Sequence, residues 1–409
     1  MKQRLIIEKK QDDLPQDNTD SVIPALAVFI IIATAILFFG LVMLYSTSYV
    51  TSGNDFFKKQ LVWMFFGLCA SAATLVLGAK RLSDWSPIFL IVLAVLLVIA
   101  RFSKEINGAH RWIILGPVSI QPSEFCKVAI TLFMAKFLSS RTHALETEPF
   151  KKVLVPISIW VLPVIGLVFL GKDLGTSVLL GLLFLSMLFV AGMRLRYLLP
   201  VVLLLPPAAL WYFLKFDAMR AKRLTSFLNP EAVSDGAGYQ LFQSLLALGS
   251  GEWLGLGFGE SRLKLKYLPE AHTDFILAVV GEELGFVFLI LTILAYLLLV
   301  LLGLAIAAKA PHRQNKLIAF GMMTFIAIQA MINIGVICAA LPTKGMSAPM
   351  ISYGGSNLIT CMVAISCVVS IGIDSVYPNY ADSLLCWAKN RIICFFSSFR
   401  SGEKKVAEI

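Results

Sequence analysis

Charged residues are scarce in this 409-residue chain: Asp, Glu, Lys and Arg together make 15%. A water-soluble domain carries about a quarter. So little polar surface excludes a soluble α/β enzyme, a disordered chain and a coiled coil. Cysteine numbers only 7, with no CxxC pair. That speaks against a disulfide scaffold or a structural zinc site and leaves core filling as its role. No GxxxxGK[ST] string occurs, so no P-loop is present. The alternation needed for a membrane β-barrel is missing too, since Val28–Phe39 reads VFIIIATAILFF. A cleavable secretory signal is not legible either. Lys2, Arg4, Lys9 and Lys10 are followed by Asp12, Asp13, Pro15, Asp17 and Asp20 before any apolar run begins.

What the chain has is apolar length. Hydrophobic residues reach 58%. Uncharged runs cover Ser21–Asn54, Gln60–Ala79, Trp85–Ala100, Val153–Gly171, Leu174–Met193, Tyr197–Leu214, Leu284–Ala308, Leu317–Thr343 and Gly345–Ile373. Most match the roughly 20 residues that cross a bilayer as a helix. Ser123–Ser139 adds a tenth, although it holds Glu124, Lys127 and Lys136. Charges in a span face a cavity or lie near its ends. The expected fold is an all-α polytopic membrane protein of about ten transmembrane helices. Residues 1–20 and 374–409 read as cytoplasmic tails around one domain, 21–373. Residues 215–274 read as a large extracytoplasmic loop between helices 7 and 8. With both termini inside, 20 of the 35 Lys and Arg fall on the inner side. The net charge of +10 then reflects inner loops and lipid headgroups, not nucleic acid.

Polar residues concentrate in three external segments. Asn107–Lys127 (NGAHRWIILGPVSIQPSEFCK) contains Gly108, Gly116, Pro117 and Pro122, so it is not one helix. Pro122 suits a helix start with Glu124 in the first turn, and Glu124 and Lys127 share a face. Within Lys215–Asp274, Gly238–Gly259 is Gly-rich, and Tyr267–Phe275 (YLPEAHTDF) ends in Asp274. Asp274 also suits a helix N-cap. Leu341–Ser356 (LPTKGMSAPMISYGGS) is broken by Pro342, Gly345, Pro349, Gly354 and Gly355, and Lys344 is its one charge. Broken helices in membranes line cavities. The three segments predict one external pocket. Arg111, Lys127 and Lys344 would there surround Asp274 and Glu124, and such an excess of cations points to an anionic, diphosphate-bearing substrate.

These residues carry a resemblance. NGAHRW at 107–112, QPSE at 121–124 with Lys127, DLGT at 173–176, RLTSFLNP at 223–230, GYQLFQSLLALGS at 238–250, PEAHTDFI at 269–276, GEELGF at 281–286 and SYGGS at 352–356 together resemble the SEDS family, the group of FtsW and RodA. The PEAHTDF and LPTKG strings are closer to the division-type FtsW branch. The resemblance covers about Ile23 to Ile373. It implies a lipid II polymerase of the bacterial cytoplasmic (inner) membrane that makes peptidoglycan at the division site. It implies Asp274 as catalytic base, with Glu124 and Lys127 beside it. Its motifs offer Arg111, Trp112, Gln121, Ser123 and Arg223 for substrate, together with Gln240 and Ser244 of the Gly-rich loop. They add His272, Thr273, Lys344, Ser352, Tyr353, Gly354 and Ser356. No organic cofactor is implied, and a divalent cation, Mg or Mn, at the diphosphate is left open. The implied partners are lipid II, an undecaprenyl-diphosphate-linked glycan, a class B penicillin-binding protein transpeptidase and other divisome proteins. Departures from the family pattern fall at Lys172, Glu252, Trp253 and Asn357. Buried charges among many helices also describe a lipid II flippase, and the tails would suit a non-catalytic scaffold; both stand as alternatives.

Overall fold

The structure is a computed structural model that describes residues 16–103, 109–116, 118–200, 203, 215, 238–262, 264, 271–343, 345–384 and 386. Their helices are α1 (Gln16–Ser52), α2 (Asp55–Leu77), α3 (Ala79–Arg101), α4 (Pro122–Ser139), α5 (Thr142–Thr147), α6 (Val155–Leu170), α7 (Leu174–Val190), α8 (Tyr239–Ser250), α9 (Ile276–Lys309), α10 (Arg313–Ile337) and α11 (Gly355–Val376). A π-helical turn, Pro149–Leu154, leads into α6. Among the described residues, seven helical stretches are long and apolar enough to cross a membrane. The chain is an all-α, multi-pass membrane protein.

Local chemistry sets the boundaries. Gly78, at φ 80°, ends α2 and starts α3, and its N–H donates to the Thr74 carbonyl. α4 begins with Pro122 at its first position and Glu124 in its first turn, as the sequence predicts. Asp173 caps α7 by accepting from the Thr176 N–H. Two short strands break the all-helical expectation: β1 (Ile113–Leu115) pairs antiparallel with β2 (Val118–Ile120), Ile113 opposite Ile120.

α11 packs against α2, α3 against α4, α9 against α10 and α1, and α10 against α4. The distribution of side chains is inverted relative to a soluble protein. Lys127, Gln329, Asn333 and Asn357 are buried, while Phe65, Ile88 and Ile159 lie exposed. That is the pattern of a bundle solvated by hydrocarbon.

Several expected boundaries move. The run at Leu284 begins two turns earlier, at Ile276, and is interrupted at Gly285, whose φ is 81° and ψ 179°. The runs Leu317–Thr343 and Gly345–Ile373 are separated by a long non-helical strap. α10 stops at Ile337 and α11 starts only at Gly355. Pro342 and Pro349 in the strap lack the N–H that a continuing helix would need. Most of the expected span Tyr197–Leu214 and much of the 215–274 loop lie outside the described residues. The first residues of the expected C-terminal tail pack back on the bundle: the Tyr380 hydroxyl donates to the Leu75 carbonyl at 2.9 Å and lies 2.7 Å from Ser370 Oγ, from which it accepts.

At Gly285 an added β-carbon would collide with the Gly255 amide and the Trp253 carbonyl, in a conformation that side chains rarely adopt. Gly285→Ala is expected to destabilise the fold by about 1–3 kcal/mol from backbone strain alone. Melting curves in detergent check this against Gly181→Ala, where a β-carbon meets open space inside α7 and a gain of about 0.5–1 kcal/mol is expected.

Candidate active site

Asp173 organises the polar end of the bundle. Its Oδ2 accepts from Gln121 Nε2 and from Ser123 Oγ, both at 2.8 Å. Its Oδ1 accepts the Thr176 N–H at 3.4 Å and faces Arg111 Nη1 at 3.6 Å. One buried carboxylate thereby joins the hairpin region, the start of α4 and the start of α7. The start of α11 is tied to the same point, because the Gln121 N–H donates to Ser356 Oγ at 3.0 Å. Arg111 Nε is buried and has no hydrogen-bond partner among the described residues.

Asp274 arrives from the other side. It sits in the turn before α9, half-buried, and Phe275 rather than Asp274 takes the cap position. A staple holds its backbone: Asn333 Nδ2 donates to the Asp274 carbonyl and to the Met346 carbonyl, both at 2.8 Å. Gly345, at φ 66°, lies between the acid and the base. A β-carbon placed there would be 3.5 Å from Asp274 Oδ2 and 3.6 Å from Arg111 Nη2. The carboxylate and the guanidinium thus border one small space.

Glu124 and Lys127 pair at 2.7 Å, with the Lys127 side chain at 0% exposure. The ammonium also donates to Gln329 Oε1 at 2.8 Å. Gln329 Nε2 donates to the Ser347 carbonyl at 2.8 Å and to Asn357 Oδ1 at 2.9 Å. The Lys127 charge is therefore met by α4 and α10 and relayed to the strap.

Of the other expected residues, the Trp112 carbonyl accepts from Ser103 Oγ at 2.6 Å. The His272 ring stacks on Phe56 at 4.3 Å and lies 5.9 Å from the Tyr353 ring, and its carbonyl accepts the Tyr353 N–H at 2.9 Å. Burial raises the Tyr353 phenol above its ordinary range, so it stays a neutral donor. Ser352 Oγ accepts from the Ala348 N–H at 2.8 Å, and the Gly354 N–H donates to Gln60 Oε1 at 3.4 Å. Thr273 is half-buried beside Asp274. The Gly-rich loop behaves differently: Gln240 and Ser244 lie on α8, and Ser244 Oγ is used to cap the Ile337 carbonyl at 2.9 Å. Arg223 and Lys344 lie outside the described residues.

The sequence marks Asp173 only as part of a motif and Asn357 only as a departure from the family pattern, and it does not single out Gln329 or Asn333. The signal was present: Gln329 and Asn333 are an i, i+4 polar pair inside an apolar run, one helix face. The expected excess of cations is also not what the described residues hold. Arg111 and Lys127 face three carboxylates, Glu124, Asp173 and Asp274, because each buried cation here brings its own counter-charge. Among the described residues no three His, Cys, Asp or Glu converge as a metal-binding group.

A family model described as "Cell cycle protein", that of FtsW, RodA and SpoVE, matches residues 26–376. The chain belongs to this family. It is 38% identical over 350 residues to "Probable peptidoglycan glycosyltransferase FtsW" of Idiomarina loihiensis, covering 83% of this chain and 85% of that one. It is 36% identical over 363 residues to "Stage V sporulation protein E" of Bacillus subtilis, covering 86% and 97%. Among solved structures, a chain of a peptidoglycan synthase complex described as coordinating polymerization and crosslinking superposes with TM-score 0.71 at 26% identity, over 86% of this chain and 98% of that one. The rod shape determining protein RodA of Thermus thermophilus superposes with TM-score 0.63 at 27% identity, over 86% and 97%.

The geometry separates two kinds of effect at Glu124 and Lys127. Removing one partner leaves a buried charge uncompensated, at a cost of roughly 3–5 kcal/mol. Lys127→Met and Glu124→Gln are each expected to lower the melting temperature sharply, and the double variant to recover most of it. Polymerisation by the refolded double variant should stay low, because Gln329, which holds the Ser347 carbonyl of the strap, has lost the Lys127 ammonium that orients its amide. Wild-type turnover in the double would show that the pair is structural only.

Proposed function

We infer that this SEDS-family peptidoglycan glycosyltransferase polymerises lipid II at the outer face of the bacterial cytoplasmic membrane, as the division-type member of the family, with both termini in the cytoplasm. The observation that carries the reading is the small space at Gly345, bordered by the Asp274 carboxylate and the Arg111 guanidinium. Glycosyl transfer from a diphosphate needs a base on one side and positive charge on the other. The remaining spans and the external loop complete a ten-helix topology in this reading.

Asp274 takes the proton of the acceptor sugar hydroxyl as that oxygen attacks the anomeric carbon of the donor glycan. The bond from that carbon to the undecaprenyl diphosphate breaks, and the diphosphate leaves with the electron pair. Arg111 receives the developing charge, held in place by Asp173. Configuration inverts in one displacement, and no covalent enzyme intermediate is needed. Lys127 is enclosed, so it acts on the reaction through the strap it supports. Arg223 and Lys344 remain proposed as further diphosphate contacts. His272 and Tyr353 frame the Asp274 turn, and Trp112, Thr273 and Gly354 border the acceptor side.

A divalent cation, Mg or Mn, fits this arrangement as a companion of the substrate. Such ions are commonly held by one or two carboxylates plus substrate phosphates. Asp274, which lies near Arg111 beside Gly345, is the carboxylate that would share the ion with the substrate phosphates. Its chemistry there is neutralisation of diphosphate charge. A class B penicillin-binding protein transpeptidase is the proposed partner; a fold shared with a chain of a polymerising and crosslinking complex supports it.

Asp274→Asn is expected to keep the protein folded in the membrane and to lower polymer formation from lipid II by at least about 10²-fold. His272→Gln should retain measurable activity, since it removes a stacking and orienting contact only. The assay uses purified protein with its transpeptidase in liposomes carrying fluorescent lipid II. Unchanged polymer in D274N would remove Asp274 as the base. Lipid movement between leaflets without polymer would replace the enzyme by a flippase.

A further inference from the structure

The chain after α8 doubles back onto the break in α9. The N–H groups of Phe286 and Val287 donate to the Glu252 and Trp253 carbonyls at 2.9 and 3.2 Å. In return the N–H groups of Leu256 and Gly257 donate to the Glu282 and Glu283 carbonyls at 2.9 and 3.0 Å. These are backbone groups that the interruption at Gly285 takes out of the helix ladder, and in a bilayer they need partners. Gly251, Gly255 and Gly285 allow the approach, since a β-carbon on any of them would collide with the opposing backbone.

Side chains lock the arrangement. Glu283 is fully buried and pairs with Lys264 Nζ at 2.8 Å. Ser46 Oγ of α1 donates to both its oxygens, at 2.8 and 2.6 Å. Lys264 also donates to the Gly259 carbonyl at 2.6 Å. Glu282 accepts from Ser261 Oγ and, at 3.1 Å, from the Arg262 N–H.

The surface that this lock presents is apolar. Trp253 is 68% exposed, Leu254 80%, Leu256 40% and Phe258 51%. The patch continues the outward face of α9, where Phe286, Phe288 and Leu291 are exposed. Trp253 meets Phe286 edge-on at 5.6 Å. From Phe286 to Lys309 the helix rises roughly 36 Å at about 1.5 Å per residue. A hydrocarbon core is about 30 Å thick. With Lys309 at one boundary, Phe286 and its neighbour Trp253 fall at the other, where tryptophan is favoured.

We propose that residues 253–258 are a bilayer anchor whose side chains insert among the acyl chains of the leaflet on the Asp274 side. The occupant is lipid because the patch is one surface with the lipid-facing side of a spanning helix. Lys264 and Glu283 bracket Asp274 in the chain, so the lock that holds the anchor also closes the segment bearing Asp274. The anchor thereby sets the depth of the Asp274 turn against the headgroups. Its existence does not rest on the glycosyltransferase reading, only this consequence does.

The test uses the full-length protein without a partner in nanodiscs of brominated phospholipid. The difference in fluorescence between wild type and Trp253→Phe isolates Trp253 among the seven tryptophans. Loss of most of that difference in brominated lipid is expected, and its survival would overturn the anchor. A photocrosslinking phenylalanine analogue at Leu254, in membranes that also hold the transpeptidase, should yield lipid adducts. Adducts with the transpeptidase alone would replace lipid by a protein partner. The double variant Lys264→Met with Glu283→Gln leaves no buried lone charge and should fold with weaker quenching of Trp253; unchanged quenching would overturn the lock as the element that holds the anchor.

Discussion

A charge carried into a helical bundle must find its counter-charge inside the bundle, and this requirement shapes the polar half of the protein. Lys127 finds Glu124, Arg111 finds Asp173, and Lys264 finds Glu283. The first pair is local, one turn of α4. The other two join segments distant in sequence. Each isolated member would be costly, so the pairs act as staples that fix which elements meet. The site is assembled from the residues that those staples bring together.

Neutral amides extend the staples. Gln329 and Asn333 project from one face of α10 and reach the strap at Ser347 and Met346. Asn357, at the start of α11, returns the contact by donating to Ser347 Oγ at 2.9 Å. A non-helical strap inside a membrane protein leaves many backbone groups without ladder partners. The buried amides and the Ser352 hydroxyl supply them, and so the strap holds a defined shape beside Asp274.

Much of this was legible in the sequence. Low charge and long apolar runs gave the fold class, and Pro122 with Glu124 marked the start of α4 correctly. The Glu124–Lys127 pair followed from helical spacing alone. Asp173 was not weighed, because one aspartate before an apolar helix reads as a cap, and it is one. Its second task, holding Arg111, depends on a contact between segments some 60 residues apart, which no local pattern reveals. The Gly-rich loop is underdetermined for a related reason: only the fold shows that Gly251 and Gly255 serve close approach to α9. Glycine reports that something is near, not what it is.

The two aspartates at the site divide its labour through their surroundings. Asp173 is buried, with two side-chain donors, a backbone N–H and a guanidinium around its two oxygens. A carboxylate so engaged holds geometry and is ill suited to exchange a proton with a substrate. Asp274 is half-buried, and Asn333 fixes its backbone. Beside its carboxylate and Arg111 stands Gly345 in a left-handed conformation, which glycine adopts without strain. A larger side chain would occupy the space where an acid and a cation could act on the same group. The absence of a side chain at Gly345 is in this sense as much a part of the site as the charges on either side of it.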